Sequence, residues 1–131
     1  MPQSICELRV RYAETDQMGV VYHAHYFNWF EVGRTDLLRQ MGMSYRELET
    51  DQVFLPVVEA ECRYVKPARY DDLLRITTSV SRIHRTRLRF GYEIHQSPGE
   101  VLLATGATLH VAVDPRGKPR RPPEKLLRLV E

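Results

Sequence analysis

An acidic residue and a glycine stand just ahead of a strongly aromatic segment near the start of the chain. Asp16 and Gly19 come a few residues before a run of large apolar side chains that begins at Tyr26. The free backbone amides at the start of a helix form a donor-rich, partly positive site. A carboxylate close to such amides supplies what hydrolysis of an acyl compound requires, because the carboxylate can attack or activate water while the amides stabilise the oxyanion. Gly19 would let the backbone come close to a ligand.

Each of these residues also has a purely structural interpretation. Asp16 could form an Asx turn or cap the start of the helix. His23 and His25 could provide polarity or packing at that helix start, which is the commoner role of a lone histidine. Tyr22 and Tyr26 suit a core or an interface as well as they suit chemistry. The residue types alone leave both interpretations open.

The helix that must position Asp16 can be predicted from periodicity. Large apolar residues between positions 26 and 41 recur at intervals of three and four, which is the spacing of one helix face. Gly42 follows the last of them, where a left-handed C-terminal cap favours glycine. Ser44 and Glu47 match a capping box and predict a short second helix over 45–50. The apolar helix face consists of Tyr26, Phe27, Phe30, Leu37, Leu38 and Met41.

Period-two alternation predicts five strands around this helix. The first covers residues 5–13, with Tyr12 on its inner face, and the other four begin near 54, 73, 87 and 101. Pro56 indicates an edge or an irregular start for the second strand. Short links predict that consecutive strands pair antiparallel, and a short helix is expected at 124–130. The last strand is predicted to place on one face Val101, Leu103, Ala107, Leu109, Val111 and Val113.

The composition excludes several classes of protein. The chain has 131 residues, of which 43% are hydrophobic and 27% charged, and its formal net charge is +2. These values are typical of one globular domain, spanning 1–131, and give no signal for nucleic acid as a partner. Cys6 and Cys62 lack the spacing of a metal site and suit a reduced interior. No segment resembles a signal peptide or approaches the ~20 apolar residues of a membrane span, so we expect a cytoplasmic protein.

The segment 11–27, with Glu31 and Arg34 beyond it, resembles the active-site segment of the 4-hydroxybenzoyl-CoA thioesterase family. It is most similar to the bacterial short acyl-CoA thioesterases associated with the Tol-Pal system. The resemblance rests on the run Asp-x-x-Gly-Val-Val-Tyr-His-x-x-Tyr that starts at Asp16, and it continues through 64–72 and 113–115. It implies an α+β hotdog fold, in which an antiparallel sheet of five or six strands wraps around one long central helix.

The resemblance also implies an activity. A member of this family hydrolyses the thioester of a small or medium acyl-CoA to a free acid and coenzyme A. Asp16 would act as nucleophile or general base, the backbone amide of His23 would polarise the carbonyl, and Gly19 would shape the turn. Coenzyme A is part of the substrate, and no further cofactor or metal is implied. The implied assembly is a homodimer, often paired into a tetramer as a dimer of dimers, with active sites at the dimer interface.

Several further residues are expected to bind substrate. Residues 54–59 of one subunit would line the acyl pocket of the other, and an arginine cluster around 82–89 could contact the phosphates of coenzyme A. A solvated outer face is the alternative interpretation of that cluster. Glu31 and Arg34 could pair on the helix, and Glu31 could instead be a second catalytic carboxylate. The expected substrate-binding residues are Tyr22, Tyr26, Phe54, Val57, Glu59, Arg82 and Arg85.

Two rival functions remain at this point. A catalytically silent hotdog module would bind acyl-CoA or a protein partner without turnover, although a pure binder need not keep Asp16. A hotdog dehydratase acting on hydroxyacyl thioesters usually relies on a histidine in a different motif, which the sequence lacks.

Overall fold

One antiparallel sheet wraps around a single long helix in the computed structural model, which describes residues 2–130. The helices are α1 (His25–Gln40), α2 (Tyr45–Thr50) and α3 (Glu124–Val130). The sheet has five strands in the order β1-β3-β4-β5-β2, so β1 and β2 are its edges. The α+β class and the element order predicted from periodicity are confirmed. The strands are β1 (Gln3–Arg9), β2 (Val57–Tyr64), β3 (Leu73–His84), β4 (Arg87–Ser97) and β5 (Val101–Val111).

Helix α1 packs directly onto the inner face of the sheet. A side chain at Gly33 would overlap the hydroxyl of Thr78, so the glycine lets the helix approach β3 closely. The ring of Phe30 stacks on Tyr92 of β4 with centroids 4.3 Å apart and lies over Gly106 of β5. These contacts bury the predicted aromatic face of the helix and fix the position of α1 on the sheet. Among the described residues, no helix has the length and apolar composition needed to cross a bilayer.

The first strand is shorter than predicted. β1 ends at Arg9, and residues 12–14 form a 3-10 turn in which Tyr12 is 76% exposed. The chain leaves the sheet because Glu14 closes this turn, donating its N–H to the carbonyl of Arg11 at 3.0 Å. The prediction that Tyr12 lies on the inner face is therefore wrong.

The pairing of β2 also differs from the prediction. β2 pairs with β5 and β1 pairs with β3, so β2 and β3 are not neighbours. The link between them, residues 65–72, is long enough to pass from one edge of the sheet to its interior. Ala68, which is buried in this link, donates its N–H to the Tyr26 hydroxyl at 3.2 Å. The link is thereby tied to helix α1 rather than forming a hairpin.

The side chains of β5 that point inward change from odd-numbered to even-numbered positions part-way along the strand. The register shifts where Ile94 pairs with Ala104 and His95 pairs with Leu102, which leaves Leu103 as an extra residue. Such a bulge rotates the following side chains to the other face of the sheet. Beyond it, the fully buried side chains include Thr108 and His110, whereas Leu109 and Val111 are half-exposed. The prediction that Leu109 and Val111 lie on one face with Leu103 is therefore wrong.

The polar residues that replace them are satisfied by a hydrogen-bond chain. The Nδ1 atom of His110 is 2.9 Å from the carbonyl of Leu55, its Nε2 is 2.8 Å from the Thr108 hydroxyl, and that hydroxyl is 2.6 Å from the Tyr92 hydroxyl. Because a carbonyl only accepts, Nδ1 carries the proton and Nε2 accepts from Thr108. Arg34 does not pair with Glu31 as considered from the sequence, since its Nε donates to the Tyr45 hydroxyl at 3.1 Å.

Candidate active site

Asp16 lies in a tight turn that orients its carboxylate. Its backbone N–H donates to the carbonyl of Val20 at 2.9 Å, and the N–H of Met18 donates to Oδ1 at 2.9 Å. Gly19 closes the turn with φ of +79°, a conformation that favours glycine. The Asx turn considered from the sequence is thus present, and it engages only one carboxylate oxygen. Among the described residues, none donates a hydrogen bond to Oδ2 of Asp16.

A buried carboxylate that sequence reasoning missed anchors this loop. Glu14 accepts the indole N–H of Trp29 at Oε2 (3.0 Å) and the backbone N–H of Arg11 at Oε1 (2.8 Å). Its carbonyl accepts the N–H of Tyr22 at 2.9 Å, which closes the far end of the loop. Glu14 follows Arg11 at the spacing of a capping box, but Arg11 has no side-chain acceptor, so the sequence carried only half of that signal. The loop that carries Asp16 is therefore held at both ends.

The start of helix α1 keeps two amides open. The N–H of His25 donates to Tyr22 and that of Tyr26 donates to His23, at 3.0 and 3.3 Å, so the first turn has 3-10 geometry. In the part of the chain that the structure describes, no side chain caps this end. Within residues 2–130, the N–H groups of His23 and Ala24 have no hydrogen-bond partner. Both are donors at the positive end of the helix dipole.

Asp16 and His23 line the same cleft. It has a volume of about 280 Å³ and lies between the Asp16 loop, the start of α1 and the end of β2. Tyr26 forms a buried part of its wall, and Lys66 is its one cationic lining residue. A larger hollow of about 530 Å³ on the outer face of the sheet, beside Arg89 and Gly91, contains neither the loop acid nor open helix amides. The cleft lining consists of Asp16, Met18, Val20, Val21, His23, Tyr26, Tyr64, Val65, Lys66 and Pro67.

Two other predicted residues belong to the same loop. Gly19 forms its tip, and Tyr22 is exposed with its ring 4.4 Å from that of His23. Among the described residues, no group of three or more His, Cys, Asp or Glu side chains is arranged to hold a metal ion.

The remaining predicted residues lie outside the cleft lining. Phe54, Val57 and Glu59 are at the start of the edge strand β2. Arg82 and Arg85 are in the β3–β4 hairpin, where the guanidinium of Arg82 donates to the carbonyls of His84 and Arg85 at 3.2 and 3.3 Å. Their contacts with substrate stay predictions.

Residues 10–130 match the family described as the Thioesterase-like superfamily. The chain belongs to this family. It is 37% identical over 121 residues to the acyl-CoA thioester hydrolase YbgC of Escherichia coli, covering 92% of this chain and 90% of YbgC. It also resembles the solved DHNA-CoA thioesterase of Staphylococcus aureus, with 37% identity and a TM-score of 0.86 over 92% of this chain and 81% of that one.

A second solved thioesterase extends the comparison. Slr0204, a 1,4-dihydroxy-2-naphthoyl-CoA thioesterase from Synechocystis, is 25% identical with a TM-score of 0.91 over 98% of this chain and 95% of that one. The expected hotdog fold is confirmed by these likenesses. The expectation of a thioester-hydrolysing enzyme is confirmed at the level of the family.

Proposed function

We propose that this protein hydrolyses the thioester of a small or medium acyl-CoA to a free acid and coenzyme A, with Asp16 as the reacting carboxylate. The observation that carries this proposal is the cleft that Asp16 shares with His23. Within residues 2–130, one carboxylate oxygen of Asp16 accepts no hydrogen bond, and the N–H of His23, a residue that lines the same cleft, is open to bind a carbonyl oxygen. These are the two groups that attack on a thioester needs.

The reaction follows from this arrangement. The thioester oxygen accepts from the helix-start amides, which stabilise the negative charge that develops when the carbonyl carbon becomes tetrahedral. As general base, Asp16 takes a proton from water and the resulting hydroxide adds to the carbon. As nucleophile, Asp16 adds directly and forms an acyl anhydride, which water then cleaves. In both routes the C–S bond breaks, and coenzyme A leaves as a thiolate that is then protonated.

The walls of the cleft support an acyl substrate. Met18, Val20 and Val65 give it apolar surface beside the polar reacting groups. A small number of polar groups in a mainly apolar cleft is the common form of a site for a small ligand. Arg82 and Arg85 remain our candidates for the phosphates of coenzyme A, because guanidinium groups pair well with phosphate.

We also propose a homodimer formed through β2, which is able to pair further into a dimer of dimers. Every residue of this edge strand except the half-buried Cys62 is exposed. An unprotected edge strand presents free backbone groups to another chain. In such a dimer Phe54, Val57 and Glu59 of one subunit would lie near the partner's cleft. Cytoplasmic location and membership of the Tol-Pal-associated subgroup, which the motif at Asp16 implies, are part of the same proposal.

The decisive experiment replaces Asp16 with Asn. Asparagine keeps an oxygen for the N–H of Met18, so the turn is preserved while the charge is lost. We expect kcat for release of free thiol from a panel of acyl-CoAs to fall by about 10²–10⁴-fold. Asp51→Asn, an exposed change at the end of α2, is the matched control. Unchanged turnover in the Asp16 variant would refute the assigned role, and tight acyl-CoA binding without turnover by the unaltered protein would favour a binding module.

A single turnover in H₂¹⁸O tests the nucleophilic role of Asp16. With enzyme in excess, water that cleaves the anhydride at the aspartyl carbonyl places ¹⁸O in the Asp16 carboxylate, whereas the general-base route places it only in the released acid. Detection of ¹⁸O by mass spectrometry in the peptide that contains Asp16 would assign the nucleophilic route.

A further inference from the structure

The hydroxyl of Tyr64 reaches from the edge of the sheet to the start of α1. It donates a hydrogen bond of 3.0 Å to the backbone carbonyl of His23, a residue 41 positions away in sequence. Tyr64 is the last residue of β2, and its ring packs edge-on against Tyr26 with centroids 4.9 Å apart at 90°. The aromatic contact fixes the ring, so the direction of the hydroxyl is determined by packing.

This bond fixes the helix start without occupying its amides. An ordinary N-cap side chain accepts from the first free N–H groups of a helix and so removes them as donors. No side chain caps α1, and the bond from Tyr64 goes to a carbonyl instead. The same carbonyl also accepts the N–H of Tyr26 at 3.3 Å. The first turn is thus immobilised while the N–H groups of His23 and Ala24 stay available.

The bond also acts on the strength of one of these donors, the N–H of Ala24. The carbonyl of His23 and the N–H of Ala24 belong to one peptide group. A hydrogen bond accepted by the oxygen of a peptide group polarises that group and strengthens its N–H as a donor. Fixing this peptide plane also restricts the preceding plane, which carries the N–H of His23, because only the φ and ψ angles of His23 lie between the two planes.

We infer that Tyr64 is a positioning residue for the reaction, acting through the His23 carbonyl to orient and strengthen the helix-start amides that receive the thioester oxygen. This inference rests on the proposed function. Tyr64 is not required to exchange a proton. Although the Tyr64 side chain is partly exposed, desolvation and the neighbouring Cys62 raise its pKa to about 12, so the hydroxyl remains a donor through the neutral range.

The kinetic test compares Tyr64→Phe with Tyr64→Leu. Phenylalanine keeps the ring contact with Tyr26 and removes only the hydroxyl. We expect Tyr64→Phe to lower kcat about tenfold, with KM changed less than about twofold, because the lost bond affects the oxyanion more than the bound ground state. The ratio of kcat in the unaltered protein to kcat in Tyr64→Phe should be the same at every pH from 6 to 9. Tyr70→Phe, at an exposed tyrosine outside the cleft lining, is the control and should keep full activity.

Full activity in Tyr64→Phe would overturn the inference whatever the result for Tyr64→Leu, and a loss confined to Tyr64→Leu would show that the ring alone suffices. A change in the shape of the pH profile would also overturn it, because that would make Tyr64 an acid or base. Absence of thiol release from the unaltered protein would refute the proposed function itself, and this inference with it. The two failures are therefore distinguishable.

A spectroscopic test needs no turnover. An acyl-CoA labelled with ¹³C at the thioester carbonyl is bound to Asp16→Asn and to the double variant Asp16→Asn, Tyr64→Phe. Donation by the helix-start amides lowers the C=O stretching frequency of the bound substrate. We expect the frequency to lie higher in the double variant than in Asp16→Asn. Equal frequencies in two folded, ligand-saturated variants would overturn the inference.

Discussion

The indole N–H of Trp29 donates a hydrogen bond of 3.0 Å to the carboxylate of Glu14, and the two residues are only 2% and 5% exposed. Trp29 belongs to α1, whereas Glu14 lies two positions before Asp16. The bond therefore joins the helix that supplies the amides to the loop that supplies the acid. A fixed relation between these two groups is what the proposed reaction requires, because small displacements of reacting groups are costly to the rate.

Replacing Glu14 with Gln should weaken both the fold and the activity. The two oxygens of Glu14 each accept an N–H, from Trp29 and from the backbone of Arg11. An amide offers only one acceptor, so its NH₂ group would face a donor in a buried site. We expect the free energy of unfolding to fall by about 1–3 kcal/mol in urea denaturation. We also expect kcat for thiol release to fall, because the Asp16 loop loses an anchor.

Glu7→Gln, at an exposed position of β1, is the matched control and should change neither quantity. A double-mutant cycle with Trp29→Phe should show that the two changes are not additive, since they remove one shared bond. Additive effects would contradict the pairing.

Gly106 should not tolerate a side chain. A Cβ atom at this position would overlap the Phe30 ring and lie 2.7 Å from the carbonyl of Glu61. The Phe30 ring cannot shift to make room, because it is itself stacked on Tyr92. We expect Gly106→Ala to lower the free energy of unfolding by about 1–3 kcal/mol. Gly99→Ala is the control, since its nearest neighbour would be 3.8 Å away, and an equal melting temperature for the two variants would refute the argument.

The buried histidine of β5 should make stability depend on pH. His110 is 0% exposed, and burial is the main cause that lowers its pKa from 6.5 to about 4. Below pH 6.5, His110 binds a proton in the unfolded chain but not in the folded chain. The folded state therefore becomes less stable as the pH falls towards 4. Above pH 6.5 this contribution is fully present. Between pH 6.5 and 4, titration of His110 should lower the free energy of unfolding by about 3 kcal/mol.

The measurement is urea unfolding of the unaltered protein and of His110→Asn between pH 4 and 8. Asparagine can donate to the Leu55 carbonyl but does not titrate in this range. We expect the difference in stability between the two proteins to shrink as the pH falls from 6.5 to 4. His84→Asn, at an exposed position, controls for general effects of removing a histidine. A constant difference would show that folding does not lower the pKa of His110.

The features that were predictable from the sequence depend on neighbours along the chain. The second helix begins where Ser44 accepts the N–H of Glu47 at 3.1 Å, and Gly42 has the positive φ expected of a C-terminal cap. Which side chains of β5 point inward was not predictable, because the bulge at Leu103 depends on the register between β5 and β4. Within the site, Asp16 was recognisable from its motif. The bond from Tyr64 to His23 was not, since only the folded sheet brings the two residues together.

A charge on the exposed edge should prevent the proposed dimer. Val58 of β2 is 48% exposed, although it is apolar. In a two-fold interface through β2, each copy would bring its own residue 58 to the contact, so Val58→Lys would place a lysine of each copy against the partner's edge strand. We expect the dimer dissociation constant from analytical ultracentrifugation to rise at least tenfold, since an unpaired charge buried in an interface costs several kcal/mol. Ile5→Lys, on the opposite edge strand β1 and 58% exposed, is the control. If Ile5→Lys dissociates the dimer and Val58→Lys has no effect, the interface lies at β1. Residues 54–59 would then lie away from the partner's cleft.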